Sequence, residues 1–422
     1  MKPPWLSLFL VPLLGSVVAC AAPAGRGDDD EIDDDDAAVS EPDPAPDPAV
    51  IEAAQIALTP GCVAHASLAG HSTWFFFTRP DRPCKGTAGS GVDRNAVDEL
   101  ARLIGTVPAG GRIDGHIYSI SVSAVGKALL DAQTRGVDVQ ISTDGAVASS
   151  TAAVKTDFLD KLAHKVYCKH ANNTACISTA DGAISHTKLF TFSTATAPDG
   201  TVASNVVWFG SANQTFASGA RLYNNTVTVY GDSSLYTQLR SYLGDLFAQK
   251  RFADYYDPAT GRGHLLAPSA DVYASPEAQT DLVVNRLDDV TPDATCRVRV
   301  MQASVRDSRL AVVDRLVTMK RGGCHIWVVA DTVEPKALAA LHAAKIPVHK
   351  MPIHDKSFIV SGTFGSTSEF RIYTGSHNLS SGSAHRFDEI FVKLAAETGD
   401  SHPIYDAYFT HFNDAYNTGA AL

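Results

Sequence analysis

From about residue 95 the chain alternates between two hydrophobic rhythms. Residues 97–104 place apolar side chains three and four apart, the pattern of a helix with one buried stripe. Residues 112–119 and 137–142 read instead as short strands. Between them a helical stretch, 125–133, stops at Arg135-Gly136. The same order returns with a strand at 297–301, a helix at 308–320 stopping at Arg321-Gly322-Gly323, and a strand at 325–330. Each closing strand ends at an aspartate suited to cap a loop, Asp144 and Asp331. A further strand (226–230; 390–394) and a Tyr/Phe-rich helix (234–249; 404–416) follow in both halves. The alternation predicts an α/β fold of two similar halves related by a pseudo-twofold, each a sheet with helical cover. Residues 254–279, rich in Pro, Gly and Ala, read as the connection, so the halves are expected at 61–255 and 281–422 with a linker at 256–280. The aromatic run Trp74 to Phe77 reads as a buried or edge strand rather than a lipid contact.

A more specific repeat sits inside this one. His186-Thr187-Lys188 precedes a β-rich run (189–192), a polar loop, a second run (206–209) and Gly210-Ser211-Ala212-Asn213. His354-Asp355-Lys356 precedes 357–360, then 370–373 and Gly375-Ser376-His377-Asn378. The His-to-Gly separations are 24 and 21 residues, a difference a hairpin loop absorbs. A single H-x-K carries almost no information; two, each with a hairpin and G-S-x-N behind it, do. Residues i and i+2 of a strand share a face, so His and Lys of each copy project together. Two such strands set face to face converge two imidazoles and two ammonium groups. This is equipment for a phosphodiester. One imidazole attacks phosphorus and holds a covalent phosphoryl group. The other protonates the leaving alcohol and then deprotonates the incoming water or alcohol. The lysines and asparagines bind the non-bridging oxygens as charge builds. The chemistry calls for no metal and no cofactor.

The paired motifs resemble those of the phospholipase D superfamily, whose signature is two H-x-K-x4-D…G-S-x-N motifs, and the resemblance covers residues 91–420. It implies two phospholipase D-like halves with the active site at their interface. By motif order it implies His186 as nucleophile and His354 as general acid, although the sequence leaves these roles exchangeable. It implies phosphate binding by Lys188, Lys356, Asn213 and Asn378, with Ser211 and Ser376 in support. Two departures stand out. The family's Asp, five residues after the Lys, is replaced by Ser193 and Ser361, and the same replacement twice reads as a subfamily variant. Fourteen residues after the motif Gly the family often carries an acid that hydrogen-bonds a catalytic imidazole. Glu389 stands there in the second half, with Asp388 beside it, whereas the first half has Asn224 and Asn225. A carboxylate favours a cationic or strongly basic imidazole, so Glu389 is expected to reach His186 across the interface and to make it the nucleophile. His377 and His385 are candidate pocket residues; His116, His325 and His349 read as structural.

The N-terminus fixes the setting. An apolar run at 5–19 ends in Val17-Val18-Ala19-Cys20, a lipobox-like close to a signal peptide (1–20) in which Cys20 takes the lipid. An ordinary signal cleaved near Ala22 is the alternative. Residues 21–60 read as an acidic, Pro-rich disordered spacer. Taking the 11 acidic and two basic residues ahead of position 51 from totals of 46 and 35 leaves 35 acidic and 33 basic, a near-neutral domain. That composition speaks against a non-specific nucleic-acid binder. Beyond Cys20, six cysteines form sequence-adjacent pairs, and of the 15 connectivities open to six cysteines the expected one is 62–84, 168–176 and 296–324. The resulting expectation is an exported bacterial phospholipase D-type enzyme, lipid-anchored to the cell envelope through Cys20 and monomeric. It would hydrolyse or transphosphatidylate glycerophospholipids. A secreted nuclease, a cardiolipin-synthase-like transferase and a non-catalytic surface lipoprotein remain as alternatives.

Overall fold

The computed structural model describes residues 56–422; the segment read as a signal peptide and lipobox with Cys20, and most of the expected spacer, lie outside the described residues. The first half runs β1 (Val63–Leu68), β2 (His71–Thr78), α1 (Asn95–Thr106), β3 (Arg112–Ile117), α2 (Ser123–Thr134), β4 (Asp138–Thr143), α3 (Ala153–Asp157) and β5 (His164–Tyr167). It continues through β6 (Leu189–Thr196), β7 (Val202–Gly210), β8 (Asn224–Val229) and α4 (Ser233–Phe247). The second half runs β9 (His264–Leu266), β10 (Ala270–Ala274), α5 (Leu282–Asp288), β11 (Arg297–Val305), α6 (Leu310–Arg321), β12 (His325–Val333), α7 (Pro335–Ala343) and β13 (Val348–Lys350). It ends with β14 (Lys356–Phe364), β15 (Thr367–Gly375), α8 (Ser381–His385), β16 (Ile390–Leu394), α9 (Pro403–Thr418) and β17 (Ala420–Ala421).

Each half contributes one mixed sheet. The orders are β1-β2-β8-β7-β6-β3-β4-β5 and β17-β13-β12-β11-β14-β15-β16-β10-β9. Strand for strand they correspond: β3, β4 and β5 are parallel, as are β11, β12 and β13, and the remaining pairings are antiparallel. The correspondence extends into the segment expected to be a linker. Strands β9 and β10 pair with each other and with β16 as β1 and β2 pair with each other and with β8. Residues 264–274 therefore open the second sheet rather than merely joining two domains. The strand was hidden because its inward positions are the small or short side chains Ala270, Val272 and Ala274, in a stretch dominated by turn formers.

The apolar patterns explain the layering. Helix α1 buries Val97, Leu100, Leu103 and Ile104, one stripe at helical spacing, against the outer face of the first sheet. Helix α6 does the same for the second sheet with Val312, Val313, Leu316 and Met319. The inner faces share one core that joins Leu189, Val207 and Phe209 to Met301, Val329 and Ile359. Helices α4 and α9 fill that core with aromatic-rich stripes, among them Tyr242 from α4 and Tyr408 and Phe412 from α9. Each reaches across: α4 lies on β7 and also meets β9, and α9 lies on β12, β14 and β15 and also meets β1. Trp74 to Phe77 are buried in β2, in keeping with the strand reading.

Three disulfides form, Cys62–Cys84, Cys168–Cys176 and Cys296–Cys324, the sequence-adjacent pairing expected. They indicate an extracytoplasmic domain. Among the described residues no helix is long and apolar enough to cross a membrane.

Candidate active site

The motif residues meet where the two sheets face each other. The His186 and His354 rings lie with centroids 6.4 Å apart, inclined by 64°. His186, Lys188, Asn213, His354, Lys356 and Asn378 are all buried, none more than 3% exposed. Lys188 immediately precedes β6 and Lys356 opens β14, and each Nζ donates to the carbonyl of its own motif histidine at 2.8 Å.

The G-S-x-N segment has a structural logic of its own. A Cβ on Gly210 would stand 2.4 Å from the Asn225 carbonyl oxygen, and one on Gly375 would stand 2.3 Å from that of Ile390. Only glycine lets the returning strand come so close. The next residue then clips the two strands together. Ser211 donates its N–H to the Asn225 carbonyl (3.0 Å) and accepts the Asn225 N–H at Oγ (3.1 Å). Ser376 does the same with Ile390 at 3.0 and 3.0 Å. The clip fixes the residue one step earlier, fourteen after the glycine, beside the imidazole of the opposite half.

In the second half that residue is Glu389, fully buried, whose Oε1 accepts from His186 Nδ1 at 2.9 Å and from Ser383 Oγ at 2.9 Å. Burial works to raise the Glu389 carboxyl, but the adjacent His186, with His377 and Lys188, outweighs it and holds the group below its ordinary value. In the first half it is Asn224, whose Oδ1 accepts from His354 Nδ1 at 3.2 Å while the Ser211 carbonyl accepts from the same nitrogen at 3.0 Å. The Asn224 amide is oriented unambiguously, because its Nδ2 donates to the Ser218 and Leu222 carbonyls. One imidazole thus faces a carboxylate and the other two neutral acceptors. Both rings are anchored through Nδ1.

The remaining candidates fall in different places. Asn213 Nδ2 donates to Ser218 Oγ at 2.9 Å, beside His354 and its partners. His377 is buried against Phe391, with ring centroids 5.9 Å apart, and burial followed by the Arg309 charge pushes its imidazole down to about 4. His385 is half-buried at the end of α8 and is tied through Nδ1 to the Glu277 carbonyl at 2.6 Å. His116 bonds Ser142 and the Ser185 carbonyl, and His349 bonds the Tyr416 carbonyl, so both brace the framework. Ser193 and Ser361, which replace the motif Asp, join secondary elements: Ser193 Oγ accepts the Arg112 N–H at the start of β3, and Ser361 bonds the Tyr405 hydroxyl on α9.

Three contributors were not picked out as site residues in the sequence. Tyr118 packs edge-on to His186. Asp144 and Asp388 grip the segment that delivers His186. The signal for Tyr118 was the alternation Asp114, His116, Tyr118, which puts it on the same side as His116 at the motif end of its strand. No sequence signal could have paired Asp388 with backbone some 210 residues away.

Residues 108–246 match the family model described as cardiolipin synthase, PLD-like domain. No match was found among curated proteins. Among solved structures the chain is similar to phosphatidylserine synthase from Haemophilus influenzae Rd KW20, at 10% identity and TM-score 0.50, over 79% of this chain and 86% of that one. It is also similar to polyphosphate kinase from Porphyromonas gingivalis, at 12% identity and TM-score 0.50, over 81% of this chain and 48% of that one. Nuc from Salmonella typhimurium, a phospholipase D family member, aligns at 22% identity and TM-score 0.29 over 36% of this chain and 97% of its own. Residues 108–246 thus match a phospholipase D-like domain, and the whole has the fold of two such halves, as in the phosphatidylserine synthase and polyphosphate kinase structures.

Proposed function

We propose that the chain is a metal-independent phosphodiesterase of the phospholipase D type, acting on glycerophospholipids through a phosphohistidine. The observation that carries this is the unequal anchoring of two facing imidazoles, His186 on the Glu389 carboxylate and His354 on two neutral oxygens. The carboxylate makes His186 the better electron donor, so its Nε2 attacks phosphorus. The bond from phosphorus to the head-group oxygen breaks as His354 Nε2–H gives that oxygen its proton. His354, now neutral at Nε2, takes a proton from water or an incoming alcohol. The resulting oxygen attacks phosphorus and releases His186. Lys188, Lys356, Asn213 and Asn378 steady the non-bridging oxygens throughout.

A lipid rather than a nucleic-acid substrate is supported by the near-neutral domain, which lacks the cationic surplus that holds a polyanion. The description of the matched family model, which names a lipid synthase, points the same way. A monomer anchored beside its substrate by Cys20 completes the reading. The test is release of choline, and exchange with added ethanol, from phosphatidylcholine vesicles in the presence of EDTA. Wild type is expected to turn over, and His186→Ala and His354→Ala to fall by at least about 10³-fold. Acid quenching during turnover should trap a labelled phosphohistidine in wild type but not in His186→Ala. DNA or RNA cleavage without lipid turnover would replace the lipid assignment with a nuclease. Silence on all three would leave a binding protein.

A further inference from the structure

The two halves can be superposed residue by residue through their strand registers. Ile113 lies opposite Phe192 and Val139 as Val298 lies opposite Val360 and Ile326. Farther along, Ile120 bridges Gln214 as Val305 bridges Leu379. Tyr118 in the first half therefore corresponds to Ala303 in the second. Tyr118 is 8% exposed and its ring meets that of His186 edge-on, with centroids 4.6 Å apart and planes 71° apart. The Lys188 ammonium lies 4.8 Å from the centre of the same ring. The counterpart methyl of Ala303 can give neither contact. Two differences in chemical character between the halves, Glu389 against Asn224 and Tyr118 against Ala303, thus both fall on His186.

We propose that Tyr118 is a positioning residue for this site. Its ring fixes the plane of the His186 imidazole and seats the Lys188 ammonium, so that one ring of the pseudo-symmetric pair is held for attack and the other is left to move protons. An imidazole hydrogen-bonded through Nδ1 to Glu389 can still tilt about that bond, and edge-to-face packing opposes the tilt. A cation near an aromatic face is held electrostatically, which keeps Lys188 directed where phosphate charge develops. Both contacts need an aromatic ring and neither needs the hydroxyl.

The role in turnover rests on the phosphodiesterase reading; the positioning does not, and the experiment separates the two. Bis(4-nitrophenyl) phosphate turnover and the histidine ring signals of uniformly ¹⁵N-labelled protein would be compared in wild type, Tyr118→Phe and Tyr118→Leu. Tyr118→Phe is expected within about twofold of wild type in both. In Tyr118→Leu kcat should fall by about 10- to 100-fold, the scale of a small misplacement of a reacting group, with KM within about threefold. Its His186 ring protons, assigned through His186→Ala, should lose their ring-current displacement. Equal kcat in Leu and wild type, an equal fall in Phe and Leu, or unchanged His186 signals in Leu would each overturn the proposal. Absence of wild-type turnover would sink the phosphodiesterase reading, and the His186 signals would still decide whether Tyr118 positions the ring.

Discussion

At the scale of single residues, the informative contrast is Glu389 against Asn224. The same clip sets both, so their difference is chemical and not architectural. Asn224 could not simply be a carboxylate, since its Nδ2 already faces the carbonyls of Ser218 and Leu222, and an oxygen there would meet two acceptors. Glu389 has no such constraint, with Ser383 Oγ and His186 Nδ1 as donors to Oε1. Glu389→Gln keeps the shape and an acceptor but removes the charge that, under the proposed function, favours the cationic ring formed as His186 bonds to phosphorus. We expect kcat to fall by about 10²-fold, with folding and disulfides intact, because a partner that orients and charges a catalytic imidazole is commonly worth that much. Steady-state rates on bis(4-nitrophenyl) phosphate beside a thermal melt would check this, and a Gln variant with wild-type kcat would show that Glu389 is only a structural acceptor.

At the scale of elements, the segment between β5 and β6 decides whether His186 is in place, and it holds little regular structure of its own. Two buried carboxylates substitute for that structure. Asp388 accepts the N–H groups of Cys176, Ile177 and Ser178 at 2.7, 2.9 and 2.8 Å, and its carbonyl accepts that of His186 at 2.9 Å. Asp144 accepts from Ser185 N–H, Thr174 Oγ1 and Ala146 N–H at 2.8, 2.9 and 2.7 Å. Burial pushes Asp388 up to about 6 and Asp144 up to about 7, against the pull of these donors. A carboxyl raised in the fold binds its proton more tightly there than in the unfolded chain. Its contribution is therefore full below the unfolded value of 3.8 and is lost as pH climbs through the folded values of about 6 and about 7. The urea midpoint of wild type should decline between pH 5 and 8 more steeply than that of Asp144→Asn or Asp388→Asn, although both variants will be less stable overall. Identical slopes in all three would mean that neither carboxyl titrates in this range. This segment also marks the limit of what the sequence made legible. The long helices, the motif hairpins and the disulfide pairs could be read because their signals are local: apolar stripes, matched spacings and adjacent cysteines. The β9–β10 hairpin and β13 escaped because strands of three to five residues carry little periodic pattern, and the nine-residue, alanine-rich helix α7 because its apolar stripe is short. The grip of Asp388 on residues 176–178 escaped because it exists only after the halves have met.

At the scale of the whole molecule, the two sheets form one core, and the seam between them is polar where the site lies. The position after Asn224 shows how the halves are bound. Asn225 Nδ2 donates to Asp355 Oδ2 at 2.8 Å, and its Oδ1 accepts from Thr374 Oγ1 at 2.7 Å and from the Tyr408 hydroxyl at 2.9 Å. Three second-half residues, on the His354 motif, β15 and α9, thus converge on one first-half amide, and all four are fully buried. Asp355 also meets His411 Nε2 at 3.2 Å, so the network continues into α9. The site lies between the halves, and its geometry is only as exact as this joint. Asn225→Ala would leave a buried carboxylate with His411 alone and strip two buried hydroxyls of an acceptor, a cost on the order of 3–5 kcal/mol. We expect wild type to unfold in a single transition followed alike by fluorescence and circular dichroism. Asn225→Ala should do so at a markedly lower urea midpoint, with activity lost in step with folding. Two transitions in wild type would mean that the halves stand independently. A variant midpoint within error of wild type would move the joint from Asn225 to the apolar core formed by Leu189, Val207, Met301 and Ile359.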